Sequence, residues 1–265
     1  MNISFDSAFS YLQPSLPQDA LRVGNEGDGG YVVSKDSILE ADLLLSFGMG
    51  EDISFEVEFN KLNPIASVCT FDHTVPLFDM KFLVRALVSS LISKNTSSFL
   101  RKYTFYKDYH SFFSKSKKHK HARERVVLRH FRNEDRTIHE ILDEYSEKKK
   151  IFIKIDIEGD EYKIIEELTS LDSKLCGLVI EFHDAGTRYE EFRRLVTSLN
   201  EFMTIDHFHI NNFDGLSKSG FPEVVELTFS NKVSKVQRKL TTELPVPGLD
   251  FPNFKRGSDY KVQWM

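Results

Sequence analysis

One run constrains the fold more than any other: Ile151-Phe-Ile-Lys-Ile-Asp-Ile-Glu-Gly-Asp-Glu161. It opens as a β-branched apolar stretch, the pattern of a strand buried on both faces in a parallel sheet. Four carboxylates then crowd around Gly159: Asp156, Glu158, Asp160 and Glu161. Tyr162, Ile164, Ile165 and Leu168 follow at three- and four-residue spacing, the stripe of a helix. Strand, acidic turn and helix make one βα unit, and in open α/β sheets the ligand crevice lies beyond the carboxyl ends of the strands. A solvated turn can also be acidic, so the rest of the chain must decide between chemistry and solvation.

Six further strands are predicted by apolar runs at 43–47, 67–72, 125–131, 175–184, 203–212 and 223–229. Helical periodicity lies between them at 53–59, 137–142 and about 188–200, with Thr137 and Glu140 spaced as a capping box. Seven strands interleaved with helices predict a Rossmann-like, doubly wound and mostly parallel α/β sheet in a single domain over 1–265. The last two strands come close together with no helix between them, which predicts an antiparallel edge strand. Residues 76–125 break the rhythm. Met80, Leu83, Val84, Leu87, Val88 and Leu91 form one helical stripe, and Phe99, Tyr103, Tyr106 and Phe113 a weaker aromatic one. This segment reads as a basic, mostly helical insertion. Residues 1–20 read as a short helix or arm. From about 232 to 265 the chain reads as an extended arm, since prolines between 245 and 252 exclude regular structure there.

The charge is unevenly placed. Residues 76–125 hold twelve Lys/Arg against three Asp/Glu, or +9, so a chain of net charge −5 carries −14 elsewhere. The Lys115–Arg125 run can be a solvated cationic loop, or it can hold an anionic or lipid-linked glycan, or rest on an anionic membrane. The acidic body and the lack of a binding motif disfavour nucleic acid, and none is expected as a partner. No apolar run approaches the roughly 18 residues of a membrane span. The N-terminus has no signal-peptide core. Cys69 and Cys176 each sit inside an apolar run, as small buried hydrophobes. A reducing cytoplasm is the expected compartment, with peripheral contact at the inner face of the membrane if the basic segment seeks lipid.

Two glycine-rich stretches are candidates for ligand contact. Leu43-Leu-Leu-Ser-Phe-Gly-Met-Gly50 is a strand running into a GxG turn and a helix start, which offers backbone N–H groups to a ligand. Asp72 ends the next strand about twenty residues on, the spacing of a carboxylate that accepts from a ribose diol. The full dinucleotide fingerprint needs a third glycine that is missing, which disfavours a nicotinamide oxidoreductase. Arg22-Val-Gly-Asn-Glu-Gly-Asp-Gly-Gly-Tyr-Val-Val33 is either a plain hairpin turn or a loop that lets backbone approach a ligand.

With these residues in view, the chain resembles the FkbM-like branch of class I S-adenosylmethionine-dependent methyltransferases. The resemblance is carried by Asp28-Gly-Gly-Tyr31, Ser46-Phe-Gly-Met-Gly50 running on to Ser54-Phe-Glu56, Phe71-Asp-His-Thr74 and Thr137-Ile-His-Glu-Ile-Leu142. It continues through Lys154-Ile-Asp-Ile-Glu-Gly159 with Glu161, His209-Ile-Asn-Asn212, Glu226-Leu-Thr-Phe229 and Leu249-Asp-Phe-Pro-Asn253. It implies S-adenosyl-L-methionine as cofactor, with Ser46, Phe47, Gly48, Gly50, Ser54, Asp72, His73 and Asp156 around it. Gly48 and Gly50 would lie under the methionine part, Asp72 on the ribose, and Asp156 beside the methionine amino group or the acceptor. It implies acceptors that are hydroxyls of sugars and related natural products. Ser46 stands where many class I enzymes carry an acid, and Asp160 where a small residue is usual.

A sugar hydroxyl is a poor nucleophile, so a base or a metal should help remove its proton. The candidates are the polar groups at two strand ends: Asp156 and Glu158 on one, Glu181, His183 and Asp184 on the other. His183 suits a base near neutral pH, with Glu158 next. A divalent metal held by Asp156, Glu158 and Asp184 is the alternative. A non-catalytic subunit of a glycan-assembly complex, with the fold kept and the chemistry lost, is the competing class of function.

Overall fold

The computed structural model describes residues 2–75, 84, 87–90, 92, 96–127, 135–168, 171 and 173–265. Seven strands form the central sheet: β1 (Leu43–Phe47), β2 (Ser67–Phe71), β3 (His119–Ala122), β4 (Ile151–Ile155), β5 (Leu175–Phe182), β6 (Met203–Ile210) and β7 (Val225–Asn231). Their order is β6-β7-β5-β4-β1-β2-β3. β4 lies between β1 and β5 and is parallel to both, and β2 and β3 continue the parallel set. Helices α1 (Lys35–Glu40), α2 (Ser54–Leu62), α3 (Thr96–Lys115), α4 (Ile138–Glu144), α5 (Glu161–Leu168) and α6 (Tyr189–Leu199) complete the βα rhythm.

Side-chain alternation along each strand builds two cores. Ile151, Ile153 and Ile155 of β4 join Leu43, Leu45 and Phe47 of β1 in one, packed under Ile164, Ile165 and Leu168 of α5 and Phe192 of α6. Phe152 and Leu44, one residue out of phase, enter the other with Phe55 and Phe59 of α2. Burying each such side chain contributes about 1.5–3 kcal/mol, which locks the strands' register. At the start of α4, Thr137 Oγ1 accepts from the Glu140 N–H and the Glu140 carboxylate accepts from the Thr137 N–H, so the capping box forms.

Three expectations are corrected. The antiparallel strand is not at the edge: β7 runs antiparallel to both β5 and β6, and sits between them. The third parallel strand is not 125–131 but His119–Ala122, inside the basic run. Arg125–Val127 instead pairs with Asp135–Thr137 as a separate ribbon, and residues 128–134 lie outside the described residues. The buried face of α3 is Phe105, Tyr109 and Phe112, while Tyr103 of the predicted aromatic stripe is exposed. Of the predicted 76–91 stripe, Met80, Leu83 and Leu91 lie outside the described residues. Both cysteines are free and buried in strands.

The terminal arms also carry short strands. Asn2–Phe5 pairs with Lys261–Trp264, and Ser15–Pro17 with Arg238–Leu240. The proline-containing stretch between Leu244 and Lys261 has no regular element. Ala20–Val23 and Tyr31–Ser34 form a hairpin whose glycine-rich loop reaches the ends of the central strands.

Candidate functional site

Four neighbouring parallel strands deliver their carboxyl ends to one edge. β1 ends in the Gly48–Gly50 turn, β2 in Asp72, β4 in Asp156 and β5 in His183. A cavity of about 290 Å³ opens over this edge, lined by the turn, by Asp72 and His73, by Lys154, Asp156 and Glu158, and by Asp28 and Gly29 of the hairpin loop.

The turn needs its glycines. Gly48 has φ +79°, and a Cβ there would sit 1.5 Å from the carbonyl oxygen of Asp156. β1 and β4 therefore meet backbone to backbone at the cavity floor. Gly50 has φ +57° and a Cβ there would meet nothing within 4 Å, so its backbone faces open space. Asp72 braces this turn. One oxygen of its carboxylate accepts from the N–H groups of Met49 and Gly50 at 2.9 and 2.8 Å. The other accepts from the N–H and hydroxyl of Thr74 at 2.8 and 2.6 Å. Burial pushes the Asp72 pKa up, but these donors outweigh it and hold the carboxyl below its ordinary value.

Lys154 is the charge inside β4. Its Nζ donates to the Gly48 carbonyl at 2.8 Å and lies 3.9 Å from the Asp156 carboxylate. Burial works against its charge, yet the anions of Glu56 and Asp156 more than offset this and raise its pKa. The ammonium thus ties the glycine turn to the acidic turn from below. Above it, the hydroxyl of buried Tyr31 reaches Glu181 at 3.2 Å and Asp156 at 3.4 Å, and Asn211 donates to Glu181 at 2.9 Å. Burial, then the Asp156 and Glu226 charges, pushes Glu181 well above the ordinary carboxyl range. Asp156 is also raised, by burial first, with Lys154 and His183 pulling it back.

His183 is oriented by Glu161, a fully buried carboxylate at the first position of α5. Glu161 Oε1 accepts from His183 Nδ1 at 2.8 Å and from the N–H groups of Ile157 and Gly159 at 3.2 and 3.1 Å. This leaves His183 Nε2 3.5 Å from the exposed Glu158 carboxylate. Burial lowers the imidazole pKa, but Glu161 dominates, with help from Glu181 and Asp156, and raises it to about 9. Ligand atoms of Asp156, Glu158 and His183 lie within 4.8 Å of one another.

Several predicted residues stand elsewhere. Ser46 is buried in β1 and its hydroxyl donates to Glu56 at 2.5 Å, under the floor and not at the cavity. The alternation that buries Phe47 packs its ring against Phe71, 5.5 Å between centroids. Ser54 faces the hairpin loop, where its hydroxyl accepts from the Asn25 N–H at 3.0 Å. Asp184 is exposed at φ +54° and is not in the convergent set of Asp156, Glu158 and His183, because the chain has already turned towards α6. Gly48, Gly50, Asp72, His73 and Asp156 do line the cavity. Sequence reasoning gave no role to Tyr31, Lys154 or Glu161. A lone lysine within a buried strand was the legible signal for Lys154, since such a charge needs partners.

The fold and the strand-end site define a Rossmann-like methyltransferase architecture. More narrowly, the chain belongs to the FkbM methyltransferase family, whose domain profile matches residues 34–213. No curated protein matches the sequence. Among solved structures it is similar to a precorrin-6y C5,15-methyltransferase from Geobacter metallireducens GS-15, at 13% identity over 75% of this chain and 86% of that one, TM-score 0.37. It is also similar to the 23S rRNA methyltransferase ErmE, at 9% identity over 76% and 67%, TM-score 0.38. A third is the plantazolicin methyltransferase BpumL in complex with SAH, at 13% identity over 72% and 76%, TM-score 0.31.

Proposed function

We propose that this protein transfers a methyl group from S-adenosylmethionine to a hydroxyl of a sugar or surface glycan, as a step of polysaccharide biosynthesis. The observation that carries the reading is a glycine-turn cavity at the end of β1 and an oriented histidine at the end of β5, with Asp156 and Glu158 of the intervening β4 turn between them. The cavity's fit to the cofactor rests on the Gly48 backbone contact, the open face at Gly50 and the acid at Asp72. When bound, the cofactor supplies an electrophilic methyl on a sulfonium. Gly48 and Gly50 would lie under its methionine part. Asp72 would serve its ribose by exchanging the Thr74 hydroxyl for a ligand hydroxyl, one donor for another. His183, held by Glu161, would take the acceptor's proton at Nε2, and Asp156 and Glu158 would orient the acceptor. An acceptor with an amine in place of the hydroxyl would meet the same groups, so the O-direction rests on the base beside the cavity.

Titration calorimetry tests the cofactor assignment. Asp72→Ala should weaken S-adenosylmethionine binding by about 1.5–3 kcal/mol through lost charge-assisted hydrogen bonds. Unchanged affinity would sink the assignment of this cavity. Absence of binding by the wild type would favour the non-catalytic subunit of a glycan-assembly complex.

Metal assistance is the second reading, because Asp156, Glu158 and His183 place ligand atoms within 4.8 Å of one another. It predicts loss of turnover in EDTA and recovery with Mg²⁺ or Mn²⁺. As partner, a glycan or a membrane surface is assigned to the basic segment.

A further inference from the structure

A second and larger cavity, of about 1120 Å³, lies between α2 and α3, from the hairpin loop at Asn25 to the first residue of β3, His119. It meets the strand-end cavity at Asp28, Glu51 and Asp52, which line both. Asp28 is close enough to Asp156 to feel its charge, so this junction adjoins the acidic turn. The hairpin loop is tied across it. The Gly24 N–H donates to Glu58 of α2 at 2.7 Å, and Asn25 Nδ2 to Asp52 at 2.5 Å. The groove is thus preformed at this end.

Its lining holds hydrogen-bonding capacity that the protein does not use. Thr104, Asp108 and Ser111 are spaced four and three residues apart, so α3 presents them on one face, and none has a side-chain partner among the described residues. Asn60 Oδ1 on α2 and His119 Nδ1 are buried atoms that make no hydrogen bond among the described residues, and His119 is only 9% exposed. Phe112 stacks on the His119 imidazole, 4.5 Å between centroids and 5° between planes, which fixes the ring. Burial first, then Lys118, lowers its pKa and keeps it neutral. Buried polar atoms left unpaired are uncommon and call for a partner. The charges are mixed, five acids against three permanent cations, with Glu51 and Arg101 paired at 3.3 Å. Such a lining selects neither a polyanion nor a polycation and suits a neutral polyhydroxylated ligand. Its volume exceeds the roughly 300–1,000 Å³ of a small-molecule site, which calls for more than one sugar unit.

Resting on the sugar-methyltransferase reading, we propose that this groove seats the non-reacting residues of a neutral oligosaccharide, so that the acceptor is a preassembled glycan chain and not a free monosaccharide. The reacting residue reaches the strand ends past Asp28, and the residues behind it lie between α2 and α3. At the strand ends the S–CH₃ bond breaks with its electron pair left on sulfur, an O–CH₃ bond forms, and the hydroxyl proton leaves through His183 to solvent. Glycosyl transfer must then come before methylation, since it supplies the chain that the groove holds.

Methyl transfer from isotopically labelled S-adenosylmethionine tests this, measured with the intact protein on neutral oligosaccharides and on their component monosaccharides. The oligosaccharides should be used at least about tenfold more efficiently in kcat/KM, the worth of one or two added hydrogen bonds. Ser111→Trp, which fills the groove from α3, should raise the oligosaccharide's KM by a similar factor and leave affinity for S-adenosylmethionine as it was. Asp108→Arg on the same face takes its place if circular dichroism shows that the first variant does not fold. Monosaccharides used as well as chains, or an oligosaccharide KM untouched by the groove variant, overturns the proposal and leaves the methyltransferase reading standing. No transfer to any carbohydrate by a protein that binds the cofactor overturns both the groove's assignment and the sugar reading.

Discussion

His183 takes its orientation from a carboxylate that never meets solvent. Glu161 sets the imidazole's pKa to about 9, well above the ordinary 6.5 or so, and this changes what its pH dependence should look like. A base near neutrality, as the residue type alone suggested, would lose activity below about pH 6.5. Here the neutral imidazole is the minor form at pH 7, and kcat should climb as pH rises through about 9. The same shift fixes the sign for stability. The Glu161–His183 pair stabilises fully below the unfolded pKa near 6.5 and is lost as pH rises through about 9. Glu161→Gln removes the anion, so the midpoint of the pH–rate profile should fall towards 6.5, with cofactor affinity unchanged. His183→Ala should lower kcat by about 10²–10⁴-fold. A midpoint that stays in place in Glu161→Gln, or turnover within tenfold of wild type in His183→Ala, sends the search for the base to the end of β6. How the site could be read from sequence follows from these particulars. Asp156, Glu158 and His183 sit at strand ends, which periodicity locates. Glu161 and Tyr31 act through contacts 22 and 150 residues apart, which no local pattern contains.

At the scale of elements, β6 is anchored by the C-terminal arm. His207 Nε2 lies 3.0 Å from Asp250, and His209 sits between Glu226 on β7 and Asp259 on the arm at 3.2 Å each. Burial opposes the His209 charge, but Glu226 and Asp259 outweigh it and raise the pKa well above its ordinary value. Asp250 is lowered despite burial, chiefly by His207. Asp250→Asn removes the anion that meets His207 and accepts from the Val246 N–H, and should cost about 1–3 kcal/mol of stability, seen as a lower Tm. A Tm within a degree or two of wild type would mean that the arm only drapes the sheet. The arm explains what sequence could and could not show. Its prolines excluded regular structure between 245 and 252, where none forms, but strands as short as Arg238–Leu240 and Lys261–Trp264 exist only because distant partners complete them. The same physics moved β3. His119-Lys-His-Ala122 has little β-branched character, and it becomes a strand because β2 offers a free parallel edge. The continuous apolar runs of β1, β4 and β5 were legible because burial on both faces favours apolar residues at nearly every position.

For the whole molecule, the dominant asymmetry is charge. The +9 of residues 76–125 stands against a remainder of −14, so the proposed contact with an anionic bilayer would fall to that segment. The same segment exposes apolar side chains: Val84, Leu87, Val88 and Ile92, with Leu100 and Tyr103 on α3. No helix among the described residues is long and apolar enough to cross a membrane. Not every lysine is free to take part. Lys120 is 3.6 Å from Glu144 and lies over the Tyr145 ring, whereas Lys117 and Lys118 stand in the turn between α3 and β3. The expected outcome is that the protein sediments with vesicles containing phosphatidylglycerol at low salt, but not with pure phosphatidylcholine. Each basic side chain near the surface is worth about 1 kcal/mol, so Lys117→Gln with Lys118→Gln should lower partitioning by roughly tenfold or more. Raised salt should release the protein, since exposed charges are screened beyond about 10 Å at 0.1 M. Cofactor affinity should stay constant throughout, because the cavity lies at the strand ends and neither lysine lines it. Equal sedimentation with neutral and anionic vesicles would assign the basic segment to a glycan acceptor, and then the double variant should raise the acceptor's KM instead.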